Sequence, residues 1–302
     1  MLRGKGGAQM HSYLGAIGFS KINKKQELDA ILQDVRENCD EKRVVENEDG
    51  RLFVEISKSY GYDCGITLCG EYDDQDQFHM EYYYPYFRGT GVSTNEQVIV
   101  EKHAGKDSFA GACDDVRIGV TLIFYLLNAG EFLDEKMKGL LGNRDTSVTF
   151  SGLAMEGKIL LPVEKNVGQV KRDREITSNR NRLISAARNG DEDAMESLTM
   201  EDIDTYSMIS RRIVQEDIFT IVDSYFMPYG IECDQYNVMG EITEFVQTTN
   251  SRTGERLYQL SLLCNDITFD VCINEKDLMG VPEVGRRFKG VIWLQGKINF
   301  GL

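Results

Sequence analysis

The stretch that decides the fold is LYQLSLLCNDITFDVCI, residues 257–273, in which two apolar runs meet at Asn265 and Asp266. Short apolar runs separated by an Asn-Asp pair are typical of two β-strands joined by a tight turn. The preceding run YNVMGEITEFVQ, residues 236–247, has the same character and a turn-rich connection to the first of these strands. The three runs therefore predict a meander of three strands.

Beyond the meander, RRFKGVIWLQGKINF at 286–300 supplies one long strand or two short ones interrupted by Gly290 and Gly296. Glycine inside a strand permits the sharp coiling that a small barrel needs. A short helical segment is expected at Glu275–Met279. Residues 233–302 are therefore expected to form a small β-barrel, either of the oligonucleotide-binding type or of another type.

Period-two patterning also predicts an antiparallel sheet nearer the N-terminus, where polar or glycine-containing connections separate the apolar runs. The expected strands are Leu52–Lys58, Cys64–Tyr72, Phe78–Phe87, Gln97–Lys102 and Ile118–Leu127. In the third of these strands, alternation predicts that large side chains share one face of the sheet. They are Phe78, Met80, Tyr82, Tyr84 and Tyr86.

Helices are expected to cover this sheet. Asn23 is a candidate helix cap, and Leu28, Ile31, Leu32 and Val35 follow with the spacing of one apolar helix face. A second helix is expected at Ala129–Lys138. The pair Glu156 and Gly157 between two apolar runs predicts a turn and a last hairpin that reaches Val163.

Helical patterning then replaces the strands, with a stop signal at Asn189 and Gly190 and a candidate N-cap at Asp191. The expected fold class is α+β in three parts. An antiparallel α+β domain with covering helices is expected at 10–165, a helical connector at 171–230 and the small β-barrel-like domain at 233–302.

Composition excludes several classes of protein. The chain has 34 Lys and Arg residues against 49 Asp and Glu residues, a formal net charge of −15. Such a charge disfavours nucleic acid and anionic lipid as partners. Residues 1–9 lack the apolar core of a signal peptide, and the longest apolar run, Val120–Leu127, is too short to span a bilayer. An acidic cytoplasmic protein that does not enter membranes is expected.

The seven cysteines are an odd number, which favours free thiols in a reducing compartment. They are Cys39, Cys64, Cys69, Cys113, Cys233, Cys264 and Cys272. No pair has CxxC spacing, and the three histidines are well separated. No metal and no cofactor are therefore expected.

The most enzyme-like segment is HAGKDSFAGACDD, residues 103–115, which supplies the candidate catalytic residues His103, Cys113 and Asp114. A cysteine nucleophile needs a nearby base and a lowered pKa, whereas the carboxylates of Asp114 and Asp115 would raise the pKa of Cys113. The alternative is a solvated loop that leads into a strand.

Two other loops have weaker signals. Residues 89–93 could form a nest of amides for an anion, but a turn is favoured because no phosphate-loop motif surrounds them. The acidic residues Asp73, Asp74 and Asp76 lack the rest of a calcium loop, so a solvated hairpin tip is favoured.

In the C-terminal part, Arg286, Arg287 and Lys289 are candidate binding residues, with Tyr258, Phe269 and Trp293 as candidate stacking surfaces for unpaired bases. Residues 233–302 nevertheless contain seven Lys and Arg residues against nine Asp and Glu residues. Because a nucleic-acid groove needs a marked positive excess, packing in the core is favoured for the aromatic side chains.

Three segments carry a family resemblance: Met10–Phe19, RRIVQEDIFTIVDSYFMPYGIECDQY at 211–236, and VGRRFKGVIWLQG at 284–296. With them the chain resembles a domain-of-unknown-function family of uncharacterised proteins from anaerobic Gram-positive bacteria. The resemblance covers nearly the whole chain from Met10 onward. It implies no catalytic residue, since the family has no assigned activity.

Three functions remain open at this level. The leading hypothesis is a non-enzymatic interaction or assembly protein with a protein partner or self-association, because no coherent catalytic constellation is visible. The second is single-stranded nucleic-acid binding through the C-terminal barrel. The third is an enzyme that uses the His103 to Asp115 loop.

Overall fold

The computed structural model describes residues 10–47, 50–102, 108–115, 117–141, 145–163, 178–180, 182–187, 190–213 and 222–301. Within these ranges the chain is mixed α+β, with two sheets and few helices. The α+β class is therefore confirmed.

Sheet A is antiparallel and has four strands in the order β1-β2-β3-β4. Its strands are β1 Glu41–Glu46, β2 Leu52–Gly61, β3 Cys64–Tyr72 and β4 Phe78–Phe87. Helix α1, Lys25–Glu37, packs against β2 and β3. Its buried residues are the predicted apolar stripe of Leu28, Ile31, Leu32 and Val35. The helix begins after Lys24, whose backbone N–H is bound by the Glu27 carboxylate at 3.3 Å.

A bulge in β4 divides its row of large side chains. Cys69 pairs with Tyr82 and the next residue of β3, Gly70, pairs with Met80, so Glu81 is the extra residue. A bulge reverses the alternation of faces. The ring of Phe78 accordingly lies 5.7 Å from the guanidinium of Arg36 in α1, whereas Tyr84 packs on the other face against Tyr125. The prediction of a single aromatic face was wrong for this reason.

Sheet B is larger and mixed in direction. It contains β5 Val98–Lys102, β6 Phe109–Asp114, β7 Thr121–Leu126, β8 Thr146–Leu160, β9 Tyr225–Pro228, β10 Gln235–Thr249, β11 Arg256–Cys264, β12 Ile267–Asn274, β13 Leu278–Met279 and β14 Arg287–Phe300. Helix α2, Ala129–Met137, follows β7 and packs against β1 and β2 of sheet A. Short 3-10 helices lie at Ser12–Ile17 and Glu275–Asp277.

Strand β8 differs most from its prediction. It runs unbroken through Glu156 and Gly157, so no hairpin turn forms there. Gly157 is required for packing: a Cβ atom at this position would lie 2.3 Å from the ring of Phe288. A glycine that reads as a turn in the sequence thus allows a close approach between strands.

The C-terminal strands do not form a sheet of their own. Strand β8 pairs in parallel with β12 and antiparallel with β14, and β14 also pairs with β7. The predicted division between residues 165 and 233 therefore does not separate two sheets. Of the predicted connector, the described part includes helix α3, Glu192–Ile213, whose first turn is capped by Asp191 through the N–H of Ala194 at 3.1 Å.

Candidate functional site

A polar cavity of about 630 Å³ lies where the β1–β2 edge of sheet A meets the β7–α2 turn and β14. Eleven residues line it: Asp40, Glu41, Lys42, Arg43, Glu55, Ser57, Arg88, Leu127, Asn128, Glu131 and Lys297. We call it the Glu55 cavity.

Glu55 stands in the middle of β2, directly across the β1–β2 pair from Arg43. The residue is only 9% exposed. Its Oε2 accepts the backbone N–H of Gly130 in the first turn of α2 at 2.9 Å, whereas Oε1 is buried and has no hydrogen-bond partner. Burial raises the pKa of Glu55 to about 7, and the Gly130 N–H and the Arg43 charge offset this only in part.

The local sequence explains this approach. Glycine at position 130 permits this contact, because a Cβ atom there would lie 2.5 Å from Oε2 of Glu55 and 2.9 Å from Cδ of Arg43, and those side chains would have to shift. Helix α2 receives no side-chain cap from Asn128. The carboxylate of Glu55 instead binds its N-terminal N–H, where the helix dipole favours negative charge.

Basic side chains surround the carboxyl group. Arg88 binds Glu41 through both oxygens, at 2.9 and 2.6 Å, and this pairing, against the cost of burial, lowers the pKa of Glu41. The Lys42 ammonium, by contrast, lies on the opposite face of sheet A from Glu55, 5.0 Å from the ring centroid of Tyr72, because Lys42 pairs with Ile56. Arg43 and Lys297 make no ion pair with any residue that the structure describes.

The opposite wall is held by Asn128. Its side chain binds the backbone of Ile298 in β14 on both sides, donating to the carbonyl at 2.8 Å and accepting from the N–H at 3.1 Å. It also donates to Glu131 at 3.0 Å. The hydroxyl of Tyr84 fixes the carbonyl of Leu127 at 3.1 Å. These contacts hold the β7–α2 turn in place against sheet A, so the cavity wall is preformed.

The described part of the predicted catalytic segment, residues 108–115, does not line this cavity. His103 lies outside the described residues. Cys113 is 2% exposed within β6, between Val98 and Leu122 of the flanking strands. Burial, followed by the charges of Asp115 and Asp114, raises the pKa of its thiol to about 12. Asp114 accepts the hydroxyl of Thr121 at 2.5 Å.

The acidic end of that segment has structural contacts. Asp115 is 1% exposed and accepts from Thr94 at 2.7 Å and from Nε of Arg117 at 2.9 Å. Arg117 also donates to the carbonyls of Ser93 and Asp266, at 3.0 and 2.7 Å. The segment from Phe109 to Asp114 is thus a paired strand, where the sequence favoured a solvated loop.

The predicted C-terminal binding residues differ in their exposure and contacts. Arg287 is buried, and its guanidinium donates to the carbonyls of Leu161 and Val222. Arg286 pairs with Glu283 at 2.8 Å, and Lys289 is half-buried. Tyr258 is half-buried with its hydroxyl 3.5 Å from Glu275. The ring of Phe269 is buried, and the indole N–H of Trp293 donates to Asp234 at 2.7 Å.

In the two loops with weaker signals, residues 89–93 and the acidic tip at Asp73, polar groups are hydrogen-bonded within the chain. The backbone N–H and hydroxyl of Thr90 both bind the buried carboxylate of Asp270, at 2.6 and 2.8 Å. At the β3–β4 tip, Asp73 binds the N–H groups of Gln75 and Gln77 and the ring of His79. Across the described ranges, no three His, Cys, Asp or Glu side chains form a metal-ligand group.

Sequence reasoning missed Glu55, Arg43, Arg88 and Lys297. One signal was available: Glu55 interrupts the otherwise apolar run LFVEI at a position that alternation places beside Phe53 and Ser57, on one face of the sheet. A carboxylate in such a position needs a partner, and this requirement points to a special environment.

The fold and the cavity define a mixed α+β protein with two sheets and a charged cavity at their junction. None of its described helices combines the length and apolar character needed to cross a membrane.

The chain matches the family model described as "Domain of unknown function, E. rectale Gene description (DUF3881)" over residues 14–296, and it belongs to this family. The resemblance drawn from the sequence is thereby confirmed. No curated protein and no solved structure matches the chain significantly.

Proposed function

We propose that this protein binds a small anionic molecule in the Glu55 cavity and acts as a non-enzymatic binding protein. The observation that carries the proposal is the buried carboxyl of Glu55, whose Oε1 has no partner among the described residues, in a cavity that also contains Arg43 and Lys297, which make no ion pair with any described residue. An anion beside Glu55 would pair with these two cations.

The simpler alternative is that Glu55 only caps helix α2. Capping requires one carboxylate oxygen, and Oε2 alone supplies it. Leaving the second oxygen buried without a partner costs about 1–3 kcal/mol. A cap of this kind is supplied at much lower cost by Ser, Thr, Asp or Asn at the helix start. Capping therefore accounts for one oxygen of the carboxyl group and leaves the other without a partner.

Calorimetric titration with inorganic phosphate and with small carboxylates at pH 7 tests the proposal. We expect saturable binding of at least one anion and a loss of at least about tenfold in affinity in the Arg43→Met, Lys297→Met double variant. Arg256→Met is the matched control, because Arg256 pairs with Glu275 on β11 away from the cavity. If no anion binds at millimolar concentration, the proposal is wrong.

We also propose a barrel of the oligonucleotide-binding type, with β8 in the place of its last strand. Five successive pairings support it: β10–β11, β11–β12, β12–β8, β8–β14 and β14–β10. The order, the single parallel pair and the short 3-10 helix after β12 suit that architecture. Amide-to-amide Overhauser contacts between β8 and both β12 and β14 would test it; absence of either set would contradict closure.

In barrels of this type, oligonucleotides bind across the second and third strands. Here the outward side chains of the third strand, β12, are engaged within the chain: Asp270 binds Thr90, while Cys272 and Asn274 donate to the carbonyls of Ala16 and Gly15. This coverage supports a small-molecule ligand over single-stranded nucleic acid. The free state of all seven cysteines supports a cytoplasmic location as part of the proposal.

A further inference from the structure

The lining of the Glu55 cavity is unusual for a ligand site. Pockets for drug-sized ligands are lined mainly by apolar and aromatic side chains, with few polar groups. Among the described lining residues, Leu127 is the only apolar one, and none is aromatic. A nucleobase or another flat apolar group would therefore find no stacking surface.

The polar lining supplies both acceptors and donors of hydrogen bonds. Asp40, Glu131, Asn128 and Ser57 line it together with Glu55. Hydroxyl groups suit such a mixed lining, because each hydroxyl both donates and accepts. The cations Arg43 and Lys297 suit a carboxylate or phosphate. The volume of about 630 Å³ exceeds that of a bare inorganic anion and falls within the usual range for drug-sized ligands.

We infer that the ligand is a polyhydroxylated anion, that is, a sugar acid or a sugar phosphate. The inference rests on the proposed function and narrows it. The hydroxyl groups of the ligand lie beside the Glu55 side chain, which lines the cavity. Arg43, which faces Glu55 across the β1–β2 pair, and Lys297 on β14 hold the anionic group. Glu131, in the first turn of α2, accepts from a further hydroxyl.

Calorimetric titrations of the full chain with gluconate, glucose 6-phosphate, glucose and inorganic phosphate test this assignment. The two sugar anions separate a carboxylate from a phosphate as the anionic group. We expect at least one of them to bind at least about tenfold more tightly than either glucose or phosphate, because only a sugar anion uses both halves of the site.

Two variants test which side chains bind the hydroxyl groups of the ligand and which bind its anionic group. Glu55→Gln should weaken the preferred sugar anion about tenfold and leave phosphate affinity nearly unchanged, whereas Arg43→Met should weaken both. Circular dichroism and the melting temperature check that each variant folds. If Glu55→Gln does not fold, Ser57→Ala replaces it, with a smaller loss expected for the sugar anion alone.

The outcomes separate the two proposals. If phosphate binds as tightly as both sugar anions, the cavity is an anion site and the polyhydroxylated ligand is wrong. Tighter binding of a simple amino acid such as aspartate than of either sugar anion would also overturn it. If none of these compounds binds, both this inference and the proposed function fall.

Discussion

A carboxyl group buried beside a helix start ties the protonation of one residue to the stability of the whole protein, and Glu55 is in this position. Its ordinary pKa of 4.5 rises to about 7, chiefly through burial. The folded protein therefore binds more protons than the unfolded chain between these two values. Linkage then requires stability to fall as the pH rises through this interval and to level off above it.

We therefore predict that Glu55→Gln abolishes this part of the pH dependence. Relative to the variant, wild type should lose about 3 kcal/mol of unfolding free energy between pH 4.5 and pH 7. Urea unfolding at a series of pH values measures the difference. The charged groups that face Glu55, namely Arg43, Arg88, Glu131, Glu41 and Lys297, are unchanged in the variant, so their own contributions cancel.

If the unfolding free energies of the two proteins changed in parallel with pH over this interval, the burial of Glu55 would be contradicted. Glu37→Gln, an exposed change at the end of α1, is the control and should leave the pH dependence as in wild type.

Cys113 gives a second prediction at the scale of one residue. Its thiol is buried in β6 with a pKa raised to about 12, and alkylating reagents attack the thiolate. Iodoacetamide at pH 7.5 should therefore leave Cys113 unmodified in the native protein and modify the exposed Cys233 first. Peptide mass spectrometry measures both sites. Cys233→Ser is the control for total uptake, and rapid labelling of Cys113 would revive a thiol mechanism.

Asp34, on helix α1, links separate elements of the fold through hydrogen bonds. Its carboxylate accepts from Lys58 and Tyr60 of β2 at 2.9 and 2.8 Å, and from Arg252 of the β10–β11 turn at 2.8 Å. Burial acts to raise the pKa of Asp34, but the hydrogen bonds from Lys58, Tyr60 and Asn38 outweigh it and hold the pKa well below its ordinary value. A helix, a sheet A strand and a sheet B turn thus meet at one carboxylate.

Asp34→Asn should lower the unfolding free energy by about 2 kcal/mol at pH 7, since hydrogen bonds to a charged group are lost. Because the pKa is lower in the folded state, this contribution is complete above about pH 4 and declines as the pH falls further. Denaturant unfolding at pH 7 and pH 3 measures both effects. Asp29→Asn on the exposed side of α1 is the control, and equal losses at both pH values would contradict the argument.

The sequence predicted correctly the elements that local interactions define, and it missed the elements that depend on contacts between distant residues. Strands β3 and β4 were predicted with their observed ends, because alternation and turn residues are local signals. The continuity of β8 was missed, because Gly157 is explained by the ring of Phe288, more than a hundred residues further along. Strand β6 was taken for a loop because Gly111 and small residues weaken its pattern; the ring of Phe124 fills the space above that glycine.

The same limit applies to the candidate site at the scale of the whole molecule. Its wall residues come from β1, β2, the residue after β4, the β7–α2 turn and β14, and no motif joins them. Arg43, Arg88 and Lys297 are far apart in the sequence, and only the fold brings them together as a basic cluster. Glu55 could have been suspected from its apolar neighbours, but the N–H of Gly130 that binds it could not have been. The net charge also gave no sign of the basic cluster, because the chain as a whole is strongly acidic.

Residues 161–224 connect β8 to β9, and the side chain of Arg287 binds the described backbone near both ends of this connection. The guanidinium of Arg287 donates to the carbonyl of Leu161 through Nε and Nη2, both at 3.0 Å, and to the carbonyl of Val222 through Nη1 at 2.9 Å. Because a single guanidinium reaches both, the two ends lie within about 8 Å of each other. The sheet around them can therefore be closed by a short connection.

We predict that replacing residues 164–220 with about eight Gly and Ser residues preserves the two sheets, since such a linker readily spans this distance. The shortened protein should unfold cooperatively and keep the anion affinity of the Glu55 cavity, whose described lining residues all lie outside the replaced segment. Arg287→Met in the full-length chain is the complementary variant. It should lower the melting temperature, because the carbonyls of Leu161 and Val222 lose their donor. Scanning calorimetry measures the folding of the shortened protein, and anion titration measures its affinity. A shortened protein that does not fold would show that the replaced segment is needed for the stability of the sheets.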